Sequence, residues 1–363
     1  MKATRKLHEA GQSLWLDNIT RGLLTSGTLE RYVDELSVTG LTSNPAIFDK
    51  AIEGTGDYDE AIVEKVEAGL TGEELFFELA IEDLRAAADV FRGIHDRTSG
   101  VDGWVSLEVS PLLAYDAAST IAEASDLHAR AGRPNLFIKI PGTQAGLPAI
   151  EESIAAGVPV NVTLLFSREQ YLAQAEAYIR AIERRVEAGL DPAVGSVASV
   201  FVSRWDAAID GTVPAELENT LGIAACKQTY AAYRALLDSD RWQRLETEGA
   251  RPQRLLWAST STKDPALPDT TYITALAAPN TVNTMPEQTL LAFGDHGEVG
   301  ELLTPDGGDA EAVLGQLALA GVDVRALGVR LQSEGAEAFD ASWNALLACL
   351  TGKGESLAGV GRS

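Results

Sequence analysis

The feature that most constrains this chain is a series of short, nearly continuous apolar runs separated by longer amphipathic stretches. The runs lie at 13–17 (SLWLD), 39–44 (TGLTSN), 104–109 (WVSLEV), 136–140 (LFIKI), 158–165 (VPVNVTLL), 194–202 (VGSVASVFV), 254–259 (RLLWAS) and 280–284 (NTVNT). Apolar residues without strict alternation suit parallel strands covered on both faces. Between them, Thr71-Gly-Glu-Glu74 and Ser167-Arg-Glu-Gln170 carry capping-box patterns that open helices. Residues 28–37, 115–131, 143–156, 221–237 and 285–293 also read as helix. Eight strands alternating with helices predict an α/β fold, a (β/α)8 TIM barrel. A doubly wound open sheet is the alternative, but there is no Gly-rich dinucleotide fingerprint and no P-loop.

No linker divides the 363 residues, so one barrel domain over 1–363 is expected, with a helical extension at about 308–350 packed on it. Two helices are expected in that extension, DAEAVLGQLALAG and GAEAFDASWNALLACL, followed by a frayed Gly/Ser-rich end, GKGESLAGVGRS. The net charge of −24 argues against a nucleic-acid partner or an anionic membrane surface. It leaves room for a small phosphorylated ligand, which needs only a few local cations. There is no run of 18 apolar residues and no apolar core in the basic N-terminus, so neither a spanning helix nor secretion is expected. Cys226 and Cys349 read as reduced thiols in helices, which fits a cytoplasmic protein. The four scattered histidines and two cysteines lack metal-ligand spacing, so no metal site is expected.

Charges inside buried strands need a reason. Asp17, Glu108 and Lys139 stand at or near the C-terminal ends of three runs, the face that carries the active site in barrel enzymes. Burial disfavours an ammonium, and a neutral amine can attack a ketone to form a Schiff base. The same lysine could instead snorkel out of a strand end or serve a structural ion pair. Asp17 and Glu108 could cap turns or pair with arginines, but with Lys139 they supply the proton transfers that Schiff-base chemistry requires. Polar residues recur at other strand ends: Thr42, Ser43 and Asn44; Asn161 and Thr163 on one face; Ser199 and Phe201 on another, with Arg204 just beyond. Hydroxyl and amide groups so placed can orient a polyol or satisfy nearby backbone. Arg204 could bind a phosphate or pair with Asp206. Lys263, after the seventh strand, could bind phosphate or be a solvated loop lysine.

These segments resemble the transaldolase family. The matching stretches are Leu16-Asp17-Asn18, Thr42-Ser43-Asn44-Pro45, Ser106-Leu107-Glu108-Val109, Ile138-Lys139-Ile140-Pro141, Asn161-Val-Thr163-Leu-Leu-Phe-Ser167 and Phe201-Val-Ser-Arg204, in the family's order. The extra length and the segment Asn280 to Pro286 resemble the longer bacterial subgroup. The resemblance implies a (β/α)8 barrel that moves a dihydroxyacetone unit from sedoheptulose 7-phosphate or fructose 6-phosphate to an aldose phosphate in the pentose phosphate pathway, with no cofactor. It implies Lys139 as the Schiff-base lysine and Asp17 as the acid/base that takes the C4 hydroxyl proton. Glu108 and Thr163 would hold a catalytic water. Asn44, Asn161 and Ser199 would bind the dihydroxyacetone moiety beside Thr42, and Arg204 the phosphate. The family's second phosphate arginine is missing from Ser259-Thr-Ser-Thr-Lys263, which leaves Ser259 and Lys263 as the local candidates. Phe201 stands where the related fructose-6-phosphate aldolases carry a tyrosine, and phenylalanine favours transfer over release. The remaining readings are such an aldolase, or a non-catalytic sugar-phosphate-binding barrel. The expected partners are sugar phosphates only, with a monomer or homodimer as the assembly.

Overall fold

Eight parallel strands close into a barrel in chain order. They are β1 (Gln12–Asp17), β2 (Val38–Thr42), β3 (Val105–Glu108), β4 (Leu136–Pro141), β5 (Val160–Leu165), β6 (Ser196–Phe201), β7 (Arg254–Ala258) and β8 (Thr281–Met285). The structure is a computed structural model that describes the backbone of residues 1–360 and the side chains of residues 1–357. Each apolar run of the sequence coincides with one strand, and helices connect them. The barrel closes through β1–β8 pairs from Gln12↔Thr281 to Leu16↔Met285.

Alternation along each strand divides two apolar layers. Outward residues such as Leu14, Leu16, Ile138, Ile140, Val162, Val200 and Trp257 are buried beneath the surrounding helices. Inward residues Trp15, Phe137, Val197, Leu256 and Val282 fill the barrel, with Trp104 stacked on Phe137 at 4.0 Å. Below them lies a polar floor. Arg254 Nη2 donates to Ser13 Oγ and to Thr281 O, both at 2.7 Å. Asp102 accepts from Ser13 Oγ and, at 2.8 Å, from Trp15 Nε1. Above the apolar layer most inward positions turn polar, Phe201 and Ala258 excepted, and this is where the sequence placed its charges.

The helical expectations are met with shifted ends. Leu221–Leu237 matches its predicted span, whereas the segment predicted from 143 becomes helical only at Leu147. Ser167 forms its capping box, its Oγ accepting from Gln170 N and Gln170 returning to Ser167 N. Thr71 does not: Gly72 has φ +57°, so the backbone leaves helical geometry just after it and its side chain makes no cap bond.

The C-terminal segment needs a larger correction. A helix at Ala310–Leu319 is present as expected, but the second runs from Val324 to Val360, not from Gly335. Gly335 is not a break. A Cβ there would lie 3.0 Å from Leu164 Cδ2, and one at Gly328 would lie 3.0 Å from Trp205. These glycines let the helix lie close on the barrel. The expected fraying fails for 352–360, which is helical, and residues 361–363 lie outside the described residues. Lys353 Nζ holds this part down, donating to Ile52 O and Thr55 O and pairing with Asp59 at 2.8 Å. We call Val324–Val360 the roof helix, because it crosses the C-terminal mouth of the barrel. Among the described residues no single helix is long and apolar enough to cross a membrane.

Gly40 on β2 faces inward against the Trp15 indole and the Trp104 backbone carbonyl. A Cβ would come within 2.5 Å of Trp104 O and 2.8 Å of the Trp15 ring. Gly40→Ala should therefore cost about 1–3 kcal/mol through overpacking, read as a lower midpoint in urea unfolding at unchanged slope.

Candidate active site

The C-terminal mouth holds a cavity of about 420 Å³. Of the candidates drawn from the sequence, Asp17, Thr42, Asn44, Lys139, Thr163, Ser199, Phe201, Arg204, Ser259 and Lys263 line it. Glu108 and Asn161 do not. Glu108 abuts a smaller void bounded by Phe48, Phe76 and Trp343. It reaches the main cavity through Lys139, its neighbour in the register Glu108↔Lys139.

Lys139 is 6% exposed. Its Nζ donates to Ser43 O at 3.2 Å and lies 3.6 Å from Glu108 Oε2. The latter is an ion pair, too long for a hydrogen bond. The snorkelling alternative is thus excluded: the amine is held inside by a carbonyl and a carboxylate. Glu108 has no hydrogen-bond partner on either carboxylate oxygen among the described residues. Burial pushes its pKa up to about 7, against the opposing pull of Lys139. Asp17 is also raised by burial, again opposed by Lys139. Thr42 Oγ1 donates to Asp17 at 2.8 Å and so must accept from Thr284 Oγ1 at 2.6 Å. The hydroxyl relay fixes one Asp17 oxygen.

Asn161 is fully buried and engaged at both ends of its amide. Its Nδ2 donates to Ser106 Oγ at 3.1 Å and its Oδ1 accepts from Ser199 Oγ at 2.7 Å. Asn44 caps the helix Pro45–Gly54, its Oδ1 accepting from Ile47 N at 3.1 Å. That leaves the Nδ2 of Asn44 as the donor available to the cavity. Thr163 Oγ1 is buried without a partner among the described residues. It precedes Leu164, which adopts φ +60°. A left-handed leucine is strained, and such residues persist only where surroundings enforce them. Here Gln332 Nε2 of the roof helix donates to Leu164 O at 2.9 Å and to Gly142 O at 3.0 Å. Ser259, at φ +57°, bonds Ser203 through both hydroxyls at 2.8 Å.

Arg204 does not pair with Asp206. That carboxylate accepts from Gly222 N at 2.9 Å and Tyr272 Oη at 2.7 Å. Arg204 makes no ion pair among the described residues, and its guanidinium lies over the Phe201 ring at 5.1 Å. Lys263 Nζ donates to Ser261 Oγ at 3.0 Å. Lys50 also lines the cavity, so four cations face it in a chain of net charge −24.

Sequence reasoning missed Lys50, Thr284, Phe339 and Ser342, which line the cavity. Lys50 sits two turns into a helix whose start was marked by Asn44-Pro45, a cap followed by proline at N1. Phe339 belongs to the apolar spacing Phe339, Trp343, Leu346 and Leu350, which reads as ordinary packing. Among the described residues no three His, Cys, Asp or Glu side chains converge as a metal site.

Comparison with known proteins places the chain in a family. The model of the Transaldolase/Fructose-6-phosphate aldolase family matches residues 14–350. The chain is 47% identical over 351 residues to a Transaldolase of Frankia alni, covering 94% of this chain and 95% of that one. It is 46% identical over 358 residues to a Transaldolase of an Arthrobacter species, covering 96% of each. It is 44% identical over 354 residues to Transaldolase 2 of Streptomyces coelicolor, covering 95% of each. A match from β1 to the roof helix, with identities of this size over nearly the full length, makes the chain a member of the transaldolase/fructose-6-phosphate aldolase family.

Proposed function

We propose that this protein is a transaldolase that transfers a dihydroxyacetone unit between sugar phosphates through a Schiff base on Lys139. The observation that carries the reading is the buried Lys139 amine, held between Ser43 O and Glu108 at the wall of a cavity ringed by hydroxyls and cations. The Lys139 amine attacks the donor ketone, and loss of water gives an iminium. Glu108 and Thr163, both with buried oxygens that have no hydrogen-bond partner among the described residues, are suited to hold and activate that water. Asp17 removes the C4 hydroxyl proton. The C3–C4 bond then breaks, its electron pair passing to the iminium nitrogen, and the aldose leaves. The enamine that remains adds to the carbonyl carbon of an acceptor aldose, with Asp17 returning the proton. Asn44 and Ser199 orient the three-carbon unit, and Asn161 holds the Ser199 hydroxyl in place. Arg204 and Lys263 bind the donor phosphate, with Lys263 and Ser259 standing where a second arginine is absent. Sugar phosphates as substrates and a cytoplasmic setting follow from the same reading.

Release of free dihydroxyacetone, the aldolase reaction, is the second reading. Phe201 at the cavity wall argues against it, because phenylalanine brings no hydroxyl to hold water there.

Lys139→Met should abolish turnover. Borohydride with fructose 6-phosphate should leave a reduced three-carbon adduct on Lys139 in the unaltered chain, and peptide mass mapping locates it. Turnover near the original level in Lys139→Met would sink the mechanism. Asp17→Asn should lower kcat by about 10²–10⁴-fold, the usual contribution of an acid/base group.

Glu108 must be ionised to act as a base. Because its pKa is raised to about 7, it is mostly protonated at pH 6. The rate kcat/KM should therefore fall as pH drops through about 7, and Glu108→Gln should lose that limb along with most activity.

Arg204→Ala should raise KM for fructose 6-phosphate by about tenfold or more, the scale of one charge-assisted contact. Unphosphorylated fructose should be affected little, which steady-state kinetics on both donors would read.

A further inference from the structure

The roof helix brings one side chain to the reacting nitrogen. The Phe339 ring centroid lies 5.5 Å from Lys139 Nζ. Phe339 is only 9% exposed, yet it lines the cavity, so its buried face is turned inward over the site. Its position is fixed from both sides. Gln332, seven residues earlier, is tied to the carbonyls of Gly142 and Leu164, just past β4 and within β5. Trp343, four residues later, donates Nε1 to Glu73 Oε1 at 2.8 Å. The same Glu73 oxygen accepts from Ser110 Oγ at 2.9 Å, two residues beyond Glu108. Spacings of seven and four put all three side chains on one face of the helix, toward the barrel. Trp343 also packs edge-on against Phe76 at 4.9 Å. The strands that carry Lys139, Thr163 and Glu108 are thus clamped to the element that carries Phe339.

We infer that Phe339 covers the carbon skeleton bound to Lys139 and sets the ratio of transfer to hydrolytic release. The inference rests on the Schiff-base reading above. The enamine left after cleavage has two fates. In transfer, its C3 forms a bond to the acceptor aldehyde carbon. In release, C3 takes a proton, water adds to the resulting iminium carbon, and the C–N bond breaks to give dihydroxyacetone and free Lys139. Both fates end with water adding to an iminium carbon and the C–N bond breaking, which frees the product ketose or dihydroxyacetone and Lys139; they part at C3, which takes the acceptor carbon in transfer and a proton in release. An aromatic face over the nitrogen and the carbon skeleton it carries acts at that branch. It occupies the space from which a proton donor in solvent would reach C3. Phe201 lines the same cavity, giving the site two aromatic walls without a hydroxyl.

The test uses the full chain with fructose 6-phosphate. Dihydroxyacetone release is measured without acceptor, and transfer is measured with erythrose 4-phosphate. Phe339→Ala and Phe339→Gln should each raise the ratio of release to transfer by about tenfold, which corresponds to about 1.4 kcal/mol in relative barrier. Phe339→Leu, which keeps the apolar cover, should restore a ratio close to the original. Circular dichroism and Tm establish that each variant is folded, and Gln, near phenylalanine in reach and compatible with helix, carries the test alone if Ala unfolds. An unchanged ratio in the folded variants, with both rates falling together, would overturn the inference and leave Phe339 a packing residue. Failure of borohydride to trap any adduct on Lys139 in the unaltered chain would instead remove the Schiff-base reading itself, so the two failures are separable.

Discussion

The need to keep a primary amine inside an apolar barrel governs much of this structure. An ammonium without partners is costly in such a place. Here the cost is offset by a backbone carbonyl from β2's end and a carboxylate on the adjoining strand. Neither partner is optimal. The Glu108 contact is longer than a hydrogen bond, and its carboxyl is itself raised toward neutrality by burial. A tighter pair would hold the Lys139 nitrogen against the carboxylate and away from a bound ketone. The strand register enforces this compromise: Glu108, Lys139 and Asn161 are successive partners across three strands, so no one of them can move without the barrel.

The same register explains why so much was legible in the sequence. A strand buried on both faces is a bare apolar run, and a lysine or glutamate in that run stands out because nothing ordinary puts it there. Asp17, Glu108 and Lys139 were visible for this reason. Asn161 was equally visible, but whether it faces substrate or a neighbouring hydroxyl depends on which atoms lie across the barrel. In the fold it bonds Ser106 and Ser199. The roof helix was misread because glycine has two uses. Gly335 looked like a helix start, yet it serves contact with Leu164 and Arg204. Phe339 was hidden for the opposite reason. A phenylalanine at helical spacing is what any packed helix shows, and its one distinctive relation, to a lysine two hundred residues away, is a property of the fold alone.

Among the described residues, two of the six non-glycine residues with positive φ lie beside this chemistry. Leu164, next to Thr163, and Ser259, at the cavity wall, both occupy left-handed backbone, and each is held by a side chain from elsewhere. Leu164 matters more, since a branched aliphatic residue gains nothing locally from that conformation. Its carbonyl is turned to Gln332, and in the same turn Thr163 presents its hydroxyl inward. The position of Thr163 is therefore decided jointly by β5 and by a helix far along the chain.

That distance has a bearing on how the molecule comes into being. Every residue assigned a chemical step lies before Phe201, whereas the clamp on Leu164 and the cover over Lys139 come from the last helix described. On the ribosome the barrel strands emerge first, and domains fold as they emerge. A nascent chain will hold a reactive lysine before it has a roof. The roof helix is made after every barrel strand, so the order of translation gives the site its cover only after the residues that do its chemistry.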